Sequence, residues 1–226
     1  MSIDPRDNYI AQVVEGKSFL EVGGLWGGLN EKVSVAYKYG ANRLAILDVA
    51  SPESEWWDFF RERMAQIGVK YDAFIGDICT VNPAEIGTPF DIVHCSGALY
   101  HLPNPMLMLT VLRSITKEYL ILTSAVTPEV IKNEDGYYAL PPSGVIFVPA
   151  LSDTERNCLK TYWTTNAGVT VARGITEAVN FSTDNFGAWW WLPTATALRA
   201  MCCSVGFQVI DSQPFWNNNA LTLLLR

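Results

Sequence analysis

Phe19-Leu20-Glu21-Val22-Gly23-Gly24-Leu25-Trp26-Gly27-Gly28 is the stretch from which the fold is read. An apolar run meets an acid, four glycines follow between positions 23 and 28, and a helical pattern begins after them. That order spells a strand, a tight turn and a helix start. Glycine lets a ligand approach the backbone, and a helix N-terminus carries unpaired N–H groups that face it. The ligand so implied is a nucleoside-type cofactor.

On the N-terminal side, residues 4–15 read as a short helix with Asp4 as N-cap and Pro5 at its first position. On the C-terminal side, Leu29, Val33, Ala36 and Tyr37 recur at helical spacing and Gly40 ends that helix. Arg43 to Asp48 is a second strand, continuously apolar and closing on an acid, as suits a strand covered on both faces. Ser51-Pro52-Glu53 starts a helix whose buried stripe is expected at Trp56, Phe60, Met64 and Ile67. Val69–Ile75, Phe90–Ser96 and Glu118–Thr123 are the third, fourth and fifth strands, with Pro105–Ile115 helical between the last two. Pro193–Val205 is a further helix, and Phe207–Asp211 with Leu221–Leu225 forms a closing antiparallel hairpin. Strand and helix patterns that alternate mean βαβ units. The expected fold class is α/β: a Rossmann-like, doubly wound, seven-stranded, mainly parallel sheet with an antiparallel C-terminal hairpin.

Residues 124–187 break that rhythm. They hold Pro128, Pro141, Pro142 and Pro149 among many aromatic, Thr and Asn residues, and they are too long for an ordinary connection. They are expected to form an inserted cap. Residues 1–123 and 188–226 then make up the cofactor-binding domain.

The bulk properties narrow the function. The chain has 226 residues, 49% of them hydrophobic, and a net charge of −7. That balance argues against a broad nucleic-acid surface, which needs a basic footprint. The five cysteines include no C-x-x-C pair, so reduced, buried thiols in a cytoplasmic protein are expected. Met1 to Ile10 is polar and mixed in charge, unlike a signal peptide. No apolar run has the length of a membrane span. The oligomeric state is not encoded in any pattern found.

Asp48 lies 21 residues after Gly27, where an acid at the end of a second strand bonds ribose hydroxyls. Dinucleotides and S-adenosylmethionine both use this arrangement. Three features favour the second. Leu25 and Trp26 interrupt a G-x-G-x-x-G pattern. Glu21 would repel a pyrophosphate but accepts the ammonium of a methionine. Asp77, at the end of the third strand, is placed to accept from an adenine amino group.

These motifs resemble, in order, those of class I S-adenosylmethionine-dependent methyltransferases. Gly97-Ala98-Leu99-Tyr100-His101-Leu102-Pro103-Asn104-Pro105 resembles the G-x-L-Y-H-L-x-x-P segment of enzymes related to the tRNA wobble-uridine methyltransferase CmoB. Trp189-Trp190-Trp191-Leu192-Pro193-Thr194, with Leu198, Met201 and Gly206-Phe207, resembles their N-W-W-x-P-T…L…M…G-F segment. The likeness spans 18–123 and 188–210. It departs at Leu25, where a glycine is usual, at Ala188, where an Asn is usual, and throughout 124–187. Many such enzymes act on small molecules.

The resemblance implies S-adenosyl-L-methionine bound by Glu21, Gly23, Gly24, Gly27, Asp48, Val49, Asp77, Ile78 and Ser96. It implies methyl transfer to a small-molecule acceptor, most simply at oxygen. An acceptor hydroxyl must lose a proton and be held in line with the methyl group. His101, beside Tyr100 in the loop after the fourth strand, is the candidate base or acceptor ligand, with Tyr100 as its catalytic neighbour. A purely structural tie from the loop to the backbone is the other role open to His101. His94, the second of two histidines, is either core or acceptor-facing. Trp189 and Trp190 are candidates to floor an aromatic or apolar acceptor. Lys132, Lys160, Arg156 and Arg173 are candidates to meet an anionic one. No carboxylate pair has metal-ligand spacing, so no metal is expected. The competing readings are a tRNA-modifying methyltransferase and a non-catalytic S-adenosylmethionine-binding partner protein.

Overall fold

The computed structural model describes residues 4–26, 30–87 and 89–226. The expected site residue Gly27, the helical Leu29 and the neighbouring Gly28 lie outside the described residues. The large sheet has seven strands: β1 (Ser18–Val22), β2 (Arg43–Asp48), β3 (Asp72–Ile75), β4 (Phe90–Ser96), β5 (Thr116–Ala125), β10 (Val209–Phe215) and β11 (Ala220–Leu225). Their order across it is β10-β11-β5-β4-β1-β2-β3. Strands β1 to β5 pair in parallel, while β11 runs antiparallel to both β5 and β10. The α/β class, the parallel majority and the antiparallel C-terminal pair are as the sequence predicts.

The alternation of side chains along each strand divides the core into two layers. Phe19, Ile46, Ile92, Ile121 and Leu224 face one side. They pack under α1 (Pro5–Val13), α2 (Val33–Lys38) and α3 (Glu55–Ile67). Leu20, Leu47, Val93, Leu122 and Leu223 face the other, under α4 (Pro105–Ile115) and α6 (Ala195–Ser204). A sheet covered on both faces explains why β2 and β11 are buried almost end to end.

Several expected details change. The buried stripe of α3 is Trp57, Phe60 and Met64, while Ile67 is exposed and Trp56 only half-buried. The helix starts at Glu55, with Ser54 as N-cap, so its inward face turns by one residue. Tyr37 of α2 is also exposed. Trp191–Pro193 is not the entry to a helix: it forms a short strand, β9, antiparallel to β8 (Val145–Phe147). The helix α6 follows it, capped by Thr194, whose hydroxyl accepts from Ala197 N–H. Cys95, Cys158 and Cys202 are buried, but Cys79 is half-buried and Cys203 exposed.

Between β5 and β9 the chain adds no strand to the large sheet. It forms the hairpin β6 (Val130–Asn133) and β7 (Gly136–Ala139), the strand β8, and α5 (Asp153–Thr165), which a Ser152–Glu155 capping box starts. Ile131, Val148, Leu159, Trp163, Trp189 and Leu192 share a third apolar cluster there.

Candidate active site

The chain passes from β1 to β2 and β3 on one side of the sheet, then returns to place β4 on the other side of β1. This reversal opens a crevice outside the carboxyl ends of β1 and β4, where ligands of open α/β sheets bind. Val22 pairs with Cys95, so the Gly23 turn and Ser96 lie side by side at its lip. A cavity of about 780 Å³ fills this crevice, within the size range of small-molecule sites. It reaches from Glu21, Asp48 and Asp77 at one end to His101, Trp189 and Trp216 at the other.

At the first end, Gly23 adopts φ +74°, a conformation that favours glycine. A β-carbon on Gly24 would overlap the Glu21 carboxyl, so the turn folds directly onto that side chain. Glu21 is almost fully buried. Its Oε2 accepts from the N–H groups of Lys32 and Val33 where α2 begins. Oε1 lies 3.3 Å from His94 Nδ1. Asp48 is buried, and its Oδ2 accepts from Leu25 N–H at 3.0 Å while Oδ1 accepts from Ala50 N–H at 2.8 Å. Burial raises the Asp48 pKa, and the charge of Glu21 adds to that. Leu25 is buried among Val33, Trp57 and Phe60, so the residue standing where a glycine is usual anchors the loop to the core. Asp77 turns one oxygen to Cys79 N–H at 2.9 Å. Val49, Ile78, Gly76 and Ser96 also line the cavity, together with an edge-to-face pair, Trp26 and Trp56, at 4.8 Å.

At the second end, two backbone-directed bonds join the loop after β4 to the segment before β9. Trp190 N–H donates to Tyr100 O at 2.7 Å, and His101 Nδ1 lies 3.1 Å from Ala188 O. A carbonyl only accepts, so Nδ1 carries the proton and Nε2 carries the lone pair, on a residue that lines the cavity. Burial pulls the His101 pKa down to about 4, the nearby Arg173 charge adds to this, and the carbonyls of Ala188 and Gly187 oppose it. The imidazole is neutral at pH 7. Burial raises the Tyr100 pKa, so its phenol stays protonated. Tyr100 and Trp189 rings sit 4.7 Å apart, and both line the cavity.

Two expected acceptor residues are elsewhere. His94 is fully buried, stacked on Phe19 beside Glu21, and does not line the cavity. Its place on the central strand β4, covered on both faces, accounts for this. Trp190 packs against Phe147 and Phe181, away from the cavity. Trp189 and Trp190 are adjacent just before β9, and only Trp189 lines the cavity.

Some lining residues carry no local sequence signal. Arg6 comes from α1, is 8% exposed, and donates from Nη1 to Ser96 Oγ at 3.1 Å. Asp4 holds it from below, through Nε and Nη2. Phe215 and Trp216 reach in from the β10–β11 turn, with Arg6 over the Phe215 ring at 4.6 Å. Trp216 has φ +53°, strained for so large a residue, and it packs on Trp163 at 5.7 Å. The run Asn217-Asn218-Asn219 is the one cue, since Asn tolerates the left-handed region. Val169, Val171, Arg173 and Phe186 close the cavity from the 124–187 segment.

No protein-family model and no curated protein matches the sequence. Solved structures do match. A methyltransferase from Mesorhizobium loti described as S-adenosylmethionine-dependent aligns over 98% of this chain and 96% of its own, with TM-score 0.59 and 12% identity. The N-terminal domain of EvdMO1, solved with SAH bound, aligns over 100% of this chain and 81% of its own, with TM-score 0.57 and 16% identity. The Burkholderia thailandensis 1,6-didemethyltoxoflavin-N1-methyltransferase, solved with 1,6-didemethyltoxoflavin and S-adenosylhomocysteine, aligns over 98% and 76%, with TM-score 0.58 and 12% identity. The fold of this chain is the fold those methyltransferases share.

Proposed function

We propose that the protein is an enzyme that transfers a methyl group from S-adenosyl-L-methionine to a small-molecule acceptor, at oxygen. The observation that carries this reading is one continuous cavity with three strand-end carboxylates at one end and a neutral histidine among aromatic rings at the other. The methyltransferase fold supports it, as do neighbours crystallised with S-adenosylhomocysteine. The resemblance of the Gly97–Pro105 and Trp189–Phe207 segments supports a kinship with CmoB-related enzymes that act on small molecules.

The residues suit this cofactor. The Gly23-Gly24 turn folds onto a carboxylate instead of opening a phosphate cradle. Asp48 would hold the ribose hydroxyls, Val49 and Ile78 would flank the adenine, and Asp77 would accept from its amino group. Glu21 and Ser96 would face the ammonium. Arg6, bonded to Ser96 beside the Gly23 turn, is the cation placed for the cofactor's carboxylate. When bound, the cofactor supplies a methyl group on a positively charged sulfur that leaves as a neutral thioether.

His101 Nε2 then accepts a hydrogen bond from the acceptor hydroxyl. Full proton transfer beforehand is unfavourable. Between a phenol near 10 and an imidazole near 4 it costs about 8 kcal/mol. The proton would therefore pass from the acceptor hydroxyl to His101 Nε2 together with methylation of that oxygen, not before it. Tyr100 and Trp189 hold the acceptor and exclude water. Residues 124–187 act as a cap that closes the acceptor end.

Calorimetric titration with S-adenosylmethionine, S-adenosylhomocysteine and NAD tests the reading. Binding of the first two without NAD supports it. Tight NAD binding with no S-adenosyl binding overturns it.

A further inference from the structure

The charges along the cavity are sorted by sign. Its acids, Glu21, Asp48 and Asp77, all stand at the ends of β1, β2 and β3 or just beyond them. The acceptor end, among the described residues, has no lining carboxylate and one lining guanidinium group, Arg173; the other arginine that lines the cavity, Arg6, stands beside Ser96 and the Gly23 turn. These two differ in how far they are neutralised. Arg6 is bound by Asp4 through Nε at 2.9 Å and Nη2 at 2.6 Å, and it is committed to Ser96. The carboxylate paired with Arg173 is that of Glu177, at 4.0 Å, and Glu177 does not line the cavity.

Arg173 is also held in position. Its backbone carbonyl accepts from Trp189 N–H at 2.9 Å, which fixes it to the residue that walls the cavity. Its guanidinium lies across Gly187, where any β-carbon would collide with it. Gly187 immediately precedes Ala188, the residue to which His101 is tied. The guanidinium and the imidazole thus both touch the same short segment, Gly187-Ala188. Between them the walls are flat: Tyr100, Phe186, Trp189 and Trp216. Trp189 and Trp216 ring centroids are 6.4 Å apart.

We infer that the acceptor is a planar aromatic acid, whose carboxylate pairs with Arg173 while its hydroxyl faces His101. Aromatic walls favour a ring, through stacking and the apolar area it buries. The Arg173 guanidinium lines the cavity with 46% of its side chain exposed and its paired carboxylate 4.0 Å away, so it is free to attract an oxyanion, and its planar fork matches a carboxylate. Of the cations Lys132, Lys160, Arg156 and Arg173, only Arg173 lines this cavity. The inference rests on the methyltransferase reading, because it assigns the other end of the cavity to the cofactor.

The test uses the full chain saturated with S-adenosylhomocysteine and titrated calorimetrically with 2-hydroxybenzoate, 4-hydroxybenzoate and their uncharged amides. At least one carboxylate is expected to bind about tenfold more tightly than its amide. Arg173→Gln is expected to erase that preference and leave the affinity for the amide and for S-adenosylhomocysteine as in the wild type. Arg173→Lys is expected to restore part of it. Equal binding of acid and amide overturns the inference, as does a preference that survives Arg173→Gln, or failure of every acid to bind. The titration with S-adenosylhomocysteine alone separates the two readings. Its failure removes the methyltransferase assignment, whereas its success with no acid preference removes only the aromatic acid.

Discussion

His101 donates its Nδ1 hydrogen to the carbonyl oxygen of Ala188, 3.1 Å away and 87 positions along the chain. This bond fixes the tautomer, leaving the lone pair on Nε2, and ties the loop after β4 to the segment that carries Trp189. A structural tie and the proposed proton acceptor are thus combined in one ring. His101→Gln keeps a side chain of similar length, but its amide is far too weak a base to take a proton. It is expected to lower kcat by about 100-fold or more, the usual share of a positioned proton acceptor. S-adenosylhomocysteine affinity should stay within about twofold, because the histidine stands at the other end of the cavity. Steady-state kinetics on the acceptor, with calorimetry on the cofactor product, checks both.

The same burial makes a pH prediction. In the folded protein the His101 pKa is lowered from 6.5 to about 4. Between those values the unfolded chain binds a proton that the folded protein refuses, so stability rises as pH increases through this window and is level above it. The full span is on the order of 3 kcal/mol. An NMR titration should show the His101 ring signal, identified by its loss in His101→Gln, moving near pH 4. The variant should also flatten the rise in melting temperature between pH 4 and 6.5. A midpoint near 6.5 would rule out the buried, neutral imidazole.

Asp91 gives the opposite case, far from the site. Its carboxylate accepts from Lys117 Nζ, Ser18 N–H and Ser18 Oγ, joining the starts of β1 and β4 to β5. These contacts, Lys117 first, lower its pKa from 3.8 to about 2. The folded value is below the unfolded one, so the stabilisation is present above pH 3.8 and is lost as pH falls towards 2. Asp91→Asn should lower the melting temperature at neutral pH and remove part of its fall across that acid range. Thermal melts in steps from pH 2 to 6 provide the comparison.

How much of this was legible in the sequence depended on whether the cause was local. Strands that alternate with helices, and acids at three successive strand ends, are local patterns, and they led to the sheet and to one end of the cavity. The acceptor end was harder. Arg6 belongs to an ordinary capped helix, and only its packing over Phe215 and Ser96 brings it to the crevice. Arg173 was one of four equivalent cations until the chain folded. The backbone bonds of Trp189 to Arg173 and of Trp190 to Tyr100 and Val148 are non-local, and of the two rings only Trp189 lines the cavity. His94 stays open between core and acceptor in the sequence, because a histidine on a strand has no local sign of which neighbour covers it. Leu25 looked like a defect in a glycine loop, although its side chain fills the core.

That last point is testable. Leu25 is 1% exposed, and its N–H holds Asp48 Oδ2. Leu25→Gly brings the loop closer to the usual glycine pattern, yet it empties a core site. Unfolding free energy is expected to fall by about 3–5 kcal/mol, the range for large-to-small core changes with an added backbone cost. The cofactor affinity should fall as well, since the loop would no longer fix Asp48. Urea unfolding and calorimetry measure the two effects, and an unchanged stability would refute the anchoring role.

Trp56 and Trp57 stand next to each other on α3 and should behave as different kinds of residue. Trp57 is 1% exposed, packs on Phe60 at 5.9 Å, and donates from Nε1 to Ala50 O at 3.1 Å. Trp56 is half-buried, and its ring meets Trp26 at the cavity wall. Trp57→Ala should therefore cost about 3–5 kcal/mol of stability, as for other buried aromatic truncations. Trp56→Ala should stay within about 1 kcal/mol of wild type, as most partly exposed changes do. Its effect should be seen in S-adenosylhomocysteine affinity, because it removes wall area at the cofactor end. If Trp56→Ala unfolds the protein while Trp57→Ala does not, the inward face of α3 is instead the one expected from spacing alone.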